Sequence, residues 1–366
     1  MPKILGKEVG PIGFGLMGLT WRATPCPQEQ AFEAMRAALK NGSAYTSPIS
    51  LCNERHDYGR IQMPTVRLWD KMLIGVVADN FWNGGEFYGP PEYNSLVVLE
   101  RYFEKYPEDA EKVVLCIKGG HNPKTHKMDA SPENTRRTLD ACIAQLNGRK
   151  KIDLFEFARR DPNVPMEETF KLIQEEYIDT GKVGGISLSE VRAETIHEAV
   201  KHTKVEAVEI ELSLFSTDVL ENGIAAACAQ YGIPVIAYSP IGRGMLTGKF
   251  RSVEDIKDAH FKLFGFPRFQ PGNFEVNLRL VEQVEEIASA KGCTPAQLAI
   301  NWTRAVSKRP GMPTIIPIPG ATTVAKVDEN SKVIDLTDEE MARIDAVLAD
   351  FTPAGARYND AVPINT

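Results

Sequence analysis

The 366-residue chain holds no run approaching the roughly 20 consecutive apolar residues that a membrane helix needs, and residues 1–10 carry no apolar segment of a secretion signal. It also lacks any block of Lys and Arg that could track a phosphate backbone. Forty-two basic residues stand against 49 acidic ones, a net charge of −7, so nucleic acid is not an expected partner. Cysteine is sparse. Cys26, Cys52, Cys116, Cys142, Cys228 and Cys293 form no C-x-x-C pair and have no His at metal-ligand spacing, so no metal is expected and the thiols should be reduced and mostly buried. These absences describe a soluble, cytosolic protein. With 43% hydrophobic and 25% charged residues, disorder, collagen and coiled coil are excluded as well.

What the chain does have is alternation. Short β-branched runs at 112–118, 152–158, 183–188, 205–212, 233–238 and 314–318 are separated by stretches of helical spacing. Ser131 and Pro132 open one helix as N-cap and first residue, followed by Leu139, Ile143 and Leu146. Leu220, Ile224, Ala227, Cys228 and Tyr231 mark another, which Gly232 stops. Residues 13–17 and 80–83 bring the strands to eight. Eight βα units without a domain break predict an α/β fold, a closed (β/α)8 barrel rather than an open sheet.

Two glycine motifs are false leads. Gly13-Phe14-Gly15-Leu16-Met17-Gly18 has the G-x-G-x-x-G spacing of a dinucleotide turn, but Pro25 and Pro27 forbid the helix that would have to follow. In the stretch from Gly242 to Phe250, Arg243 stands where a P-loop has its first glycine and Phe250 where it needs Ser or Thr. His197 and His202, with Glu198, are spaced unlike a zinc motif and sit on a charged helix.

The run Asn83-Gly84-Gly85-Glu86-Phe87-Tyr88 resembles the signature of the aldo-keto reductase family at the end of its second barrel strand. Further matches follow in the family's order: Lys118 ending a strand, Gly185 to Val191, Ala237 to Gly242, and Ile316 to Gly320 followed by Glu329 and Asn330. Within the family, the stretches 82–89 and 153–159 resemble the fungal pyridoxal reductases. The resemblance covers almost the whole chain. It implies one barrel over 1–366 with an N-terminal hairpin and a C-terminal helical tail, and NADPH-dependent reduction of a small aldehyde such as pyridoxal.

In that frame Tyr88 is the proton donor and Lys118 the cation that makes its phenol acidic, both at strand ends where barrel sites are built. Asn83 stands where the family has an aspartate paired with the lysine. An amide there leaves the lysine's charge uncompensated, so that its field falls more fully on Tyr88. Ala158 replaces the family's carbonyl-polarising histidine, with Arg159, Arg160 and His121 as possible substitutes. Resemblance assigns the coenzyme to Ser189, Glu190 and Glu209 (carboxamide), Tyr238 (ring stacking), Ser239, Pro240, Ile241, Gly242 and Gly320, with Lys326 at the 2′-phosphate and Glu329 and Asn330 at the adenine. Trp21, Phe87 and Trp82 are candidates to line the substrate slot. Two other readings stay open: a non-catalytic NADPH-binding regulatory subunit, and a Schiff-base aldolase with Lys118 as nucleophile.

One segment has no counterpart. Residues 43–79 interrupt the passage from the first helix to the second strand, either as a retained intron or as a loop on the barrel's N-terminal face, away from the site.

Overall fold

The computed structural model describes residues 1–41, 79–256, 265–359, 362–364 and 366, with the backbone also at 43–44 and 76–77. A two-stranded antiparallel hairpin, β1 (Lys3–Ile4) and β2 (Lys7–Glu8), comes first. Eight parallel strands then form one sheet: β3 (Phe14–Gly15), β4 (Phe81–Gly85), β5 (Val114–Gly119), β6 (Ile152–Phe157), β7 (Val183–Ser189), β8 (Val205–Glu211), β9 (Val235–Tyr238) and β10 (Ile315–Pro317). Each pairs with its sequence neighbour, as successive right-handed crossovers require. The sheet curls until its edges meet. Gly13 N donates to Pro317 O at 2.9 Å, Gly15 N to Pro319 O at 3.2 Å, and Gly15 bridges Gly320 in parallel.

This seam is where the glycines of the false dinucleotide motif are used. A Cβ on Gly13 would lie 2.7 Å from Phe81 O, and one on Gly15 would lie 2.9 Å from Ile318 O. Only a hydrogen fits between strands that approach so closely.

Helices cover the outside. They include α1 (Gln28–Lys40), α2 (Ser95–Lys105), α3 (Pro132–Gln145), α4 (Met166–Ile173), α5 (Ala193–His202), α6 (Ile224–Tyr231), α7 (Asn273–Lys291), α8 (Pro295–Ala305), α9 (Val324–Asn330) and, near the C-terminus, α10 (Asp338–Ala349). Ser131 caps α3 as the sequence predicts, its Oγ accepting from Asn134 N at 3.4 Å with Pro132 in the first turn. The helix expected from Leu220 begins later, at Ile224. Gly223 takes φ +90°, a left-handed conformation that breaks the turn holding Leu220 away from α6.

Two cores result. The outer one lies between sheet and helices. It contains Trp82, which is fully buried against Tyr102 and Phe103 and therefore packs outward rather than lining a substrate slot. The inner core is a layer of Phe81, Val114, Cys116, Leu154, Ala207, Ile236, Ile316 and Ile318, onto which Ile4 and Val9 of the hairpin region pack. The hairpin therefore stops the end of the sheet where the strands begin, leaving the opposite end for chemistry.

Most of the unmatched segment, 45–75, lies outside the described residues. Its two flanks meet as an antiparallel pair, Ser43 opposite Val77 and Ala44 opposite Val76. The chain thus leaves and rejoins between α1 and β4, on the side where strands start. Among the described residues, four of the five cysteines are buried and all five are free thiols. His197 and His202 are bonded to Tyr231 and Glu198 at the surface. Among the described residues no helix is long and apolar enough to cross a membrane, and no cluster of His, Cys, Asp and Glu is arranged to hold a metal.

Candidate active site

Side chains alternate along a strand, so the residues two and four places beyond the inner apolar layer also point inward. On β4, β5, β6, β8 and β9 these are Asn83, Lys118, Glu156, Glu209 and Tyr238. The first four are buried. Lys118 lies beside Glu156 in the strand register, and its Nζ is 3.4 Å from Glu156 Oε1. The same ammonium donates a hydrogen bond to Glu209 Oε1. Asn83 Nδ2 donates to Glu156 Oε1 at 3.1 Å and to Glu209 Oε2 at 2.5 Å, and Ser187 Oγ donates to Glu156 Oε2 at 2.8 Å.

The expectation that Lys118 lacks a counter-charge is therefore corrected. An amide does stand at Asn83, but two carboxylates from β6 and β8 face the lysine instead. Burial alone would lower the Lys118 pKa; the charges of Glu209, Tyr88 and Glu156 outweigh it and hold the ammonium well above its ordinary range. Burial, with Glu156 added, pushes Glu209 up against the pull of Lys118.

Tyr88 follows β4 in a tight turn. Its backbone is fixed by Tyr88 N to Gly85 O at 3.2 Å, Thr20 Oγ1 to Tyr88 O at 2.6 Å and Ser95 N to Tyr88 O at 3.1 Å. The ring rests on Gly85, where a Cβ would press on it at 3.0 Å. Trp21 stacks on the ring at 5.2 Å between centroids, and Phe87 meets both Trp21 and Tyr88 edge-on. Lys118 Nζ lies 6.0 Å from the Tyr88 ring centroid and 5.8 Å from that of Tyr238, so one ammonium faces two phenols. Burial pushes the Tyr88 pKa up to about 12; Lys118 opposes the rise, and Glu209 and Glu156 reinforce it. The acidic phenol expected from an unscreened lysine is not found: burial is the main reason, and the two carboxylates add to it. Tyr88 stays protonated across the neutral range.

Of the three residues assigned to a carboxamide, Ser189 alone has an open group: its buried Oγ has no protein partner. Glu209 is taken by Lys118 and Asn83. Glu190, with φ +53°, accepts bidentately from Arg357 at 3.2 Å twice and from Tyr238 Oη at 2.8 Å. Arg357 holds the Glu190 carboxyl below its usual range despite burial. Tyr358 joins in, its Oη 3.0 Å from that of Tyr238, and Thr366 N donates to Glu190 O at 2.8 Å. The chain's last residues therefore pack across the strand ends, a contact with no signal in the sequence reading.

The loop Ser239, Pro240, Ile241, Gly242 leaves β9 with Gly242 N donating to Ser239 O at 2.9 Å. Gly320 lies at the seam, Asn330 Nδ2 reaches Gly320 O at 3.4 Å, and Glu329 O accepts from Gln297. Lys326 opens α9. Desolvation and the positive charges of Lys249 and Arg22 lower its pKa, with Glu329 opposing, so two further cations act on Lys326. The resemblance points to Lys326 alone; Lys249 and Arg22 are added by the fold. Arg159, weighed as a substitute donor beside Ala158, donates from Nε to Pro363 O at 2.6 Å and from Nη1 to Ala158 O at 2.5 Å. The buried Nε of Arg160 has no partner, and His121 lies against Phe87.

A curled sheet of eight parallel strands, apolar at one end and ionic at the other, with its charged residues at the strands' carboxyl ends, defines an α/β-barrel enzyme. The family model "Aldo/keto reductase family" matches residues 76–349, and the chain belongs to that family of oxidoreductases. The probable pyridoxal reductase 2 of Schizosaccharomyces pombe is 40% identical, over 98% of this chain and 97% of its own. The putative pyridoxal reductase of Saccharomyces cerevisiae is 36% identical over 95% and 96%. A third relative, aldo-keto reductase yakc [NADP(+)] of Schizosaccharomyces pombe, is 32% identical over 76% and 81%. Among solved structures, the glycerol dehydrogenase of Gluconobacter oxydans superposes with a TM-score of 0.72 over 97% of this chain and 96% of its own, at 21% identity, a likeness of fold.

Proposed function

We propose that this chain is a closed (β/α)8 barrel that reduces a small aldehyde with NADPH, pyridoxal to pyridoxine being the reaction its two pyridoxal reductase relatives suggest. The observation that carries this reading is the buried Tyr88–Lys118 couple at the strand ends, walled by Trp21 and Phe87. NADPH, when bound, supplies the hydride. The open hydroxyl of Ser189 suits its carboxamide oxygen, and the cations Arg22, Lys249 and Lys326 suit its 2′-phosphate, so the residues present fit the coenzyme.

Hydride arrival puts negative charge on the carbonyl oxygen, and Tyr88 delivers the proton that neutralises it. Its high pKa keeps that proton on the phenol until the oxygen becomes basic. Lys118 stabilises the phenolate left behind, while Trp21 and Phe87 hold a flat substrate and exclude water. A Schiff-base role for Lys118 is not supported, because an ammonium held protonated by two carboxylates is a poor nucleophile.

The test is NADPH oxidation with a panel of aldehydes including pyridoxal, run in parallel with NADH. Turnover on pyridoxal with preference for NADPH is expected. Tight NADPH binding without turnover on any aldehyde would favour the non-catalytic regulatory subunit instead.

A further inference from the structure

We infer that Glu209 is the positioning residue for Lys118, and that Asn83 and Glu209 act as an interchangeable amide–carboxylate pair which fixes the ammonium beneath Tyr88. The inference rests on the proposed role of Lys118 and adds to it the group on which that role depends.

A lysine ammonium is a point charge on a flexible four-carbon stem, so its place is set by its partners. Among the described residues, Glu209 is the side chain that accepts a hydrogen bond from Lys118 Nζ; Glu156 lies farther off at 3.4 Å. Glu209 is itself oriented. Its second oxygen accepts from Asn83 Nδ2 at 2.5 Å, and the same amide reaches Glu156 at 3.1 Å. Asn83 thus spends its amide on the two carboxylates, and Glu209 spends one oxygen on the amide and one on the lysine.

Glu156 is less suited to the task, because Ser187 Oγ and Asn83 hold its two oxygens. All four members are buried on separate strands, so a lost contact is not replaced by solvent. The groups facing this cluster are Tyr88, Tyr238, Cys116 and, beyond Tyr88, Tyr358.

Because Asn83 and Glu209 touch, exchanging their end groups keeps one amide and one carboxylate in the cluster and leaves the total charge unchanged, the contact given up being the amide's donation to Glu156. The experiment is a double-mutant cycle of Asn83→Asp, Glu209→Gln and the double variant, with Lys118→Met as reference. Each is measured for kcat/KM across pH in NADPH-dependent pyridoxal reduction, for NADPH binding by fluorescence quenching, and for Tm.

Glu209→Gln should lower kcat/KM by about tenfold or more. It should also displace the pH profile, since the Tyr88 pKa answers both to the lost carboxylate and to the ammonium it no longer fixes. The double exchange should recover most of both, and of Tm. Glu209→Gln with wild-type kcat/KM and an unmoved profile, in a set where Lys118→Met is impaired, overturns the inference while leaving the role of Lys118 intact. Full activity in Lys118→Met overturns that role instead. Should Glu209→Gln alone fail to fold, the double exchange decides: folded and active supports the pair, folded and inactive refutes it.

Discussion

Replacing Tyr88 by Phe removes one oxygen from a ring that is 8% exposed and leaves its stack on Trp21 and its edge contact with Phe87 in place. The stability change should therefore stay within about 1 kcal/mol. The catalytic change should be larger. If Tyr88 supplies the proton, loss of a general acid lowers kcat by at least about 10², which is about 2.7 kcal/mol of barrel-site barrier height at 1.36 kcal/mol per decade. Steady-state NADPH oxidation with pyridoxal gives kcat, fluorescence quenching gives coenzyme affinity, and a thermal melt gives stability. The separation of the three is the prediction: kcat falls, the others hold. Since the Tyr88 pKa stands near 12 in the buried site, the wild-type rate should show no loss of this proton near neutrality. Turnover of Tyr88→Phe equal to wild type would refute the assignment. An equal fall in coenzyme affinity would instead mean that the hydroxyl serves binding.

Three further outcomes follow from the same geometry. Arg357→Ala strips Glu190 of its bidentate partner in a buried setting, a loss of about 3–5 kcal/mol that should lower Tm by several degrees; a melt unchanged from wild type would show that the tail contributes nothing to the fold. Lys249→Ala and Lys326→Ala should each weaken NADPH binding about three- to tenfold, less at high salt, with NADH unaffected; equal losses for both coenzymes would remove these lysines from the 2′-phosphate. Asp79, beside Ser331, has its pKa raised by burial from 3.8 to about 8. Its folded form keeps a proton that the unfolded chain releases, so its contribution to stability is full below about pH 4 and is lost as pH climbs toward 8. Asp79→Asn should thus gain stability at about pH 8 and little at about pH 4, and a gain equal at both would contradict the titration.

How much of this was legible depended on distance along the chain. The eight strands, the Ser131 cap and the stop at Gly232 are local signals, and the structure shows each within a few residues of its predicted place. The partners of Lys118 are not local: Glu209 lies 91 residues away and reaches it only because β5 and β8 face one another across the interior. A position-by-position resemblance compares Asn83 with an aspartate and assigns Glu209 to the coenzyme separately, and so misses that the two side chains touch. Arg357 meets Glu190 across 167 residues, with no periodicity to announce it.

A signal was nonetheless present in the alternation itself. Along β4 the inward row reads Phe81 then Asn83; along β5, Val114, Cys116, Lys118; along β6, Leu154, Glu156; along β8, Ala207, Glu209; along β9, Ile236, Tyr238. Every row begins apolar and ends polar. A glutamate on the inward row of Ile152–Phe157, after Leu154, is costly to bury without a cation, so Glu156 by itself implies a lysine or arginine from another strand at the same height. In a parallel barrel all strands share one direction, so residues late in each row must lie in one layer. Lys118 is the cation late in such a row. The ionic layer, with Tyr88 and Tyr238 at its upper side, thus follows from strand parity and the cost of an unpaired charge; within it the lysine donates across the interior to Glu209 rather than to its sheet neighbour Glu156.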